Sequence, residues 1–212
     1  MPRLSRFCGA AILILCLAPI APARASEDSA AELTRRARTA CEQGRNATDR
    51  DARREHFTRG QALAERAVAL DDQNADAHFA VFCNMGELMR IDGESIRSAF
   101  ALRRLLGELD RTLALNPDHL DAMSSKGTFL VRLPRVLGGD AIKGEAMLRE
   151  VLRRDPSAVN ARLVLAKYVD GRGNRDEAIS FAKRALQIAR AQGRADRIAA
   201  AQSTLDELGV AH

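Results

Sequence analysis

A helical apolar pattern that halts and restarts at near-regular distances leaves this chain few folds to choose from. After Ser29 apolar residues recur at three- and four-residue spacing almost throughout, and the breaks fall on turn residues. The spacing predicts helices over 28–44, 49–70, 75–91, 95–115, 118–132, 140–154, 158–171, 174–192 and 195–208: four antiparallel pairs and one extra helix. Proline lacks an N–H and disfavours a helical conformation in the residue before it. Asn116-Pro117-Asp118 and Asp155-Pro156-Ser157 therefore each stop one helix and offer a cap to the next. Gly171-Arg172-Gly173-Asn174 makes a further break. Laid on itself, the sequence aligns Glu145–Leu152 with Ile179–Leu186, so that Leu152 and Leu186 stand 34 residues apart.

Composition agrees with helices alone. Tryptophan is absent, aromatic residues make up 4%, and Ala, Leu, Arg and Glu dominate, whereas strands draw on β-branched and aromatic residues. The first 25 residues read as a secretory signal: Arg3 and Arg6, an apolar run from Gly9 to Ile20, then Ala23-Arg24-Ala25 for cleavage after Ala25. That run is shorter than the roughly 20 residues that cross a bilayer, and Phe7 and Leu15 before Cys8 and Cys16 are too large for a lipidation site. The expected mature chain, 26–212, is one helical-repeat domain that is periplasmic or secreted. Losing Arg3, Arg6 and Arg24 lowers its formal charge from +5 to +2. The remaining arginine pairs alternate with acids, as solvated helix faces do, and no nucleic-acid partner is expected.

The last full repeat carries a resemblance. Leu165, Ala166, Gly173, Ala178, Ala182 and Ala185, with Asp176-Glu177-Ala178-Ile179 opening the second helix, match the pattern of the tetratricopeptide repeat (TPR) family. Gly127, Leu130, Gly144, Leu148, Val151 and Pro156 fit the unit before it, given a five-residue insertion around Leu133–Gly139. Gly60, Ala64, Ala67 and Asp72 fit the first unit, and Leu113 and Pro117 close a stretched second one. Equivalent ends are spaced 45, 39 and 34 residues apart. The usual large aromatic of the first helix is replaced by His78, Met123 and Arg162. The resemblance implies an all-α, right-handed superhelical solenoid of about four irregular helix pairs, with Ala195–Leu208 as a cap whose Ile198, Ala201, Leu205 and Leu208 pack inward. A narrower stretch, Leu133 to Pro156 with Pro134, Gly138-Gly139-Asp140 and Lys143-Gly144, is similar to the periplasmic T component associated with tripartite ATP-independent (TRAP) transporters. In that family a repeat protein is implied to partner a solute-binding protein.

No motif for catalysis stands out. His56, His78, His119 and His212 are scattered and read as surface or packing residues, so no metal or cofactor is expected. Gly138-Gly139-Asp140 would set a negative charge where a helix-bound phosphate should sit, and reads as a capping turn. Paired acids such as Asp71-Asp72 lie at turns, and nucleophile elbows and phosphate loops are absent. Cys41 and Cys83 fall on the first helices of the first two units, which neighbour each other in a stacked solenoid. A disulfide and two unpaired thiols both fit that placement.

By repeat register the concave face presents Asp76, Phe79, Cys83, Glu87, Asp121, Ser124, Thr128, Asn160, Leu163 and Lys167, a mixture suited to an extended peptide or a partner's loop. The expected function is a non-catalytic, exported scaffold for protein–protein interaction in the cell envelope. Its partners are then one or more envelope proteins or peptides, a second copy of the chain being compatible as well. Two alternatives stand beside it. One is an accessory component of a solute transporter, meeting a solute-binding protein. The other is a small-molecule carrier, with Phe79, Phe82, Met85, Phe100 and Phe129 lining a cavity between helix pairs.

Overall fold

The computed structural model describes residues 29–91, 93 and 99–210. The leader-like segment and the first residues of the helices expected from 28 and from 95 lie outside the described residues. Within them the chain forms nine α-helices and no strand: α1 (Ala30–Asn46), α2 (Arg50–Leu70), α3 (Ala75–Ile91), α4 (Ala99–Leu115), α5 (Leu120–Arg132), α6 (Ala141–Arg154), α7 (Val159–Asp170), α8 (Arg175–Ala191) and α9 (Ala195–Glu207). A 3-10 turn, Arg135–Leu137, joins α5 to α6. Each helix packs on the next, and α1 on α3, α5 on α7 and α7 on α9 pack as well. This is a stack of helix pairs, a TPR-like solenoid.

The irregular repeat is written in the burial pattern. Gly60, Leu105, Gly144 and Ala178 are equivalent buried positions on the second helices of the four pairs. So are Ala64, Leu109, Leu148 and Ala182, and so are Ala67, Thr112, Val151 and Ala185. All three series step by 45, 39 and 34 residues, the intervals read from the sequence. The turns keep the same phase. The side chains of Asp71, Asn116 and Asp155 each accept from the N–H two residues on, at 3.0, 3.0 and 2.8 Å. These residues close the turn and do not cap the next helix, contrary to the expectation for the two proline triplets. At α5 the cap is the ring of His119, whose Nδ1 accepts from Ala122 N–H at 3.2 Å, and α7 starts at Ala158 with no side-chain cap. Elsewhere Ser29, Asp49, Asn74 and Asp140 cap α1, α2, α3 and α6 through their side-chain oxygens.

Small and large residues set how closely neighbours approach. Between α5 and α6 a methyl group at Gly144 would stand 2.8 Å from the Gly127 carbonyl oxygen, so these backbones pass nearly in contact. Between α3 and α5 the wider gap is filled by rings: Phe79 lies 5.6 Å from Phe82, and Phe82 meets Phe129 edge-on at 6.1 Å. Phe79, Phe82 and Met85 pack directly on Leu105, Leu109 and Ala122 as core. Phe100, placed with them in the carrier reading, is 79% exposed and stands apart. The last pair and cap bury Ala201, Leu205 and Leu208 with Ile198 against them, as the sequence predicts. The insertion at Leu133–Gly139 projects from the hairpin, with Val136 90% exposed and Gly138 in the left-handed region at φ 88°.

Candidate functional site

The odd-numbered helices form one wall of the solenoid, and a ladder of polar contacts ties α1 to α3 along it. Arg38 Nη1 meets Asp76 Oδ1 at 3.3 Å at one end. At the other, Arg45 Nε meets Glu87 Oε1 at 2.7 Å and Arg90 Nη1 meets Glu87 Oε2 at 2.8 Å. The middle rung is the two cysteine side chains, both free thiols, which interact with each other; Arg45 Nη2 reaches Cys83 Sγ at 3.8 Å. The rungs at 38, 41 and 45 share a helix face because they step by three and four residues. Asp76 also receives His119 Nε2 at 3.3 Å, and the His119 ring lies tilted against Phe79 with centroids 4.6 Å apart, which carries the wall across to α5.

Charges on separate inner helices act on one another. Burial pushes the Arg197 pKa below the usual arginine range, and among the charges acting on it are Arg45 and Glu87. The last inner helix therefore comes within electrostatic reach of the first two. Asp121 at the start of α5 acts in turn on Cys83. Arg45, Cys83, Glu87, Asp121 and Arg197, from four different helices, are thus linked electrostatically. Burial opposes the Arg45 charge, but its surroundings, with the Glu87 carboxylate in direct contact, raise its pKa above the usual arginine range. An open hollow of about 350 Å³ at one rim is lined by Thr34, Arg35, Arg38, Glu42, Asn74 and Asp76.

The residues expected on the concave face divide into two groups. Asp76, Asp121, Asn160 and Lys167 are exposed, and Ser124 and Thr128 are half-buried, the Thr128 hydroxyl donating to the Ser124 carbonyl at 2.8 Å. Lys167 pairs with Glu207 across α7 and α9 at 2.7 Å. Phe79 and Leu163, at 8% and 7% exposure, belong to the cores on either side and offer little to a partner. Glu87 is 3% exposed, held beneath two arginines. Arg45, Arg90, His119 and Arg197 were not among the expected groove residues. Arg45 was findable, four residues after Cys41 on the same face; Arg197 lay on a helix read only as a cap. The described histidines pack or pair, His212 lying outside the described residues: His78 is buried between Glu108, at 2.7 Å, and the Asp72 carbonyl, at 3.1 Å. Among the described residues no three His, Cys, Asp or Glu side chains converge to hold a metal ion.

Chemically this wall can exchange charges. Exposed pairs such as Arg38–Asp76 and Lys167–Glu207 contribute about 0–1 kcal/mol each, so a partner's charged side chain can replace either member at small cost. The Glu87 cluster is different, because its carboxylate is buried and each arginine satisfies one of its two oxygens, so losing either leaves a buried oxygen short of its partner.

Comparison with known proteins agrees with the fold. The family model described as regulator of microtubule dynamics protein 1-3 matches residues 20–133. Among solved structures, TTC0263, a thermophilic TPR protein of Thermus thermophilus, is similar over 82% of this chain and 89% of its own, with 21% identity and a TM-score of 0.53. The MamA crystal structure is similar over 81% and 84% respectively, with 19% identity and a TM-score of 0.50. No curated protein matches the chain in sequence.

Proposed function

The chain belongs to the regulator of microtubule dynamics protein 1-3 family, and from that premise we propose that it is a non-catalytic scaffold whose concave groove holds a segment of another protein. The observation that carries this reading is that the wall built from the odd-numbered helices leaves Asp76, Asp121, Asn160 and Lys167 exposed beside the exchangeable ion pairs Arg38–Asp76 and Lys167–Glu207. A partner segment bearing both acidic and basic side chains finds its complements there. The family's description names regulation and not a reaction, which supports binding over catalysis. The leader-like start supports an envelope partner: a positive beginning, an apolar run and a small-residue cleavage site direct the mature chain from Ser26 onward out of the cytoplasm.

Three residues of the TRAP-like stretch have local work in the hairpin. Pro134 precedes the 3-10 turn, Gly139 lies against the Leu133 carbonyl, and Asp140 caps α6. The transporter-associated form of the proposal therefore rests on partner identity alone. Capture of partners on the tagged mature chain after mild cross-linking, beside an Asp121→Arg, Arg197→Glu variant and an outer-face Lys183→Glu control, tests the reading. The expected result is a partner retained by the wild type and the control and lost by the groove variant. Retention by all three contradicts the groove as the site, and recovery of a solute-binding protein identifies the transporter-associated form.

A further inference from the structure

The two thiols on the groove wall sit in a setting built for oxidation. Ion pairs on both sides, Arg38–Asp76 and Arg45–Glu87, fix α1 against α3 in register, and Cys41 and Cys83 lie between them on these two packed helices. Their environments differ in the manner of an attacking and a resolving thiol. Cys83 is half-buried and has the Arg45 guanidinium 3.8 Å from its sulfur, whereas Cys41 is 3% exposed. Glu87 engages Arg45 through Nε, which leaves the Nη2 edge directed at the sulfur, and Arg90 takes the other carboxylate oxygen. We propose that Cys41 and Cys83 are a reactive dithiol that a hydroperoxide closes to a disulfide, with Cys83 as the attacking thiolate and Cys41 as the resolving thiol.

The pKa directions agree with that order. The contact with Cys41 lowers the Cys83 pKa against the opposing effect of burial, and Arg45 lowers it further. The contact with Cys83 and then burial raise that of Cys41. In the first step the Cys83 thiolate attacks one peroxide oxygen and forms an S–O bond. The O–O bond breaks, and the departing oxygen leaves as hydroxide or alkoxide and takes up a proton, giving a sulfenic acid on Cys83. In the second, Cys41 sulfur attacks Cys83 sulfur, the S–O bond breaks, and hydroxide leaves with the Cys41 proton as water. The two sulfurs lose two electrons and the peroxide gains them. A small oxidant suits a sulfur that is only partly exposed. The bridge joins α1 to α3 and encloses all of α2 in a covalent loop.

The test treats the reduced mature chain with hydrogen peroxide and follows free thiols by alkylation after denaturation, together with intact mass. The wild type is expected to lose both thiols together, to regain them with dithiothreitol, and to gain about 5–10 °C in Tm when bridged. In Cys41→Ser, Cys83 should stop at a sulfenic acid that dimedone traps. In Cys83→Ser, Cys41 should react at least about tenfold more slowly than Cys83 does in Cys41→Ser. Circular dichroism establishes that both variants are folded. Two thiols surviving peroxide in the wild type, bridges only between chains, or equal reactivity of the two single-thiol variants would overturn the proposal.

Discussion

Arg162 occupies a place where the repeat family sets a large aromatic, and it is 9% exposed. Its hydrogen bond is to the Ala158 carbonyl, one turn back at 3.5 Å, and burial lowers its pKa below the usual arginine range. A buried charge so weakly compensated costs stability, so Arg162→Met is expected to raise stability by about 1 kcal/mol, read as a higher Tm. Gly60 behaves in the opposite sense. A methyl there would overlap the Asn84 amide, which is fully buried and donates to the Ala37 and Ala80 carbonyls at 3.2 and 2.9 Å, tying α3 to α1. Gly60→Ala is therefore expected to lower stability by about 2 kcal/mol in denaturant unfolding, since Asn84 must leave or α2 must shift. Both positions were legible as pattern: Gly60 fitted the repeat and Arg162 departed from it. What the pattern lacked was the neighbour, because Asn84 meets Gly60 only after α2 and α3 have packed.

At the level of elements, the α5–α6 hairpin shows what local chemistry can and cannot announce. The insertion at Leu133–Gly139 and the glycines on either side were visible as an interruption of the period. The structure turns them into a projecting 3-10 turn and a near-contact of Gly127 with Gly144. Asp140→Ala removes the oxygen that accepts from Lys143 N–H at 3.1 Å and should cost about 1 kcal/mol, measured as a lower unfolding midpoint. Val136→Ser, at a side chain 90% exposed, should leave the midpoint nearly unchanged, within about 0.5 kcal/mol. The cap of α5 was not legible. Histidine is an uncommon cap, and His119 fills the role while it also meets Asp76 and Phe79, two contacts contributed by α3.

Over the whole molecule the curvature decides the site. Helix order, pair boundaries and the 45, 39 and 34 intervals could be read along the chain, because each follows from periodicity and turn chemistry within a short window. Curvature accumulates from small rotations at every repeat and from how large the side chains between helices are, such as the Phe79–Phe82–Phe129 wedge. That sum sets which helices face one another across the groove, and no local feature of α9 signals that the Arg45 and Glu87 charges act on Arg197. It also explains the sorting of the expected groove residues: Asp121, Asn160 and Lys167 stay open, while Phe79 and Leu163 are taken into the core. A groove lined by exchangeable ion pairs should bind its partner more weakly as salt rises, at least several-fold between about 50 and 500 mM, as titration of the captured partner would show.

Site-specific photo-cross-linking is the direct measurement of whether the concave wall holds the partner. A photoreactive residue is placed at Asn160 or Ser124 on the inner helices, or at Lys183 or Arg66 on the outer ones, in the full-length chain expressed in its own cells. Cross-links to a second protein from the inner positions, with little from the outer ones, are the predicted result. Equal yields from both faces, or cross-links from the outer positions alone, would contradict a scaffold that works through its groove.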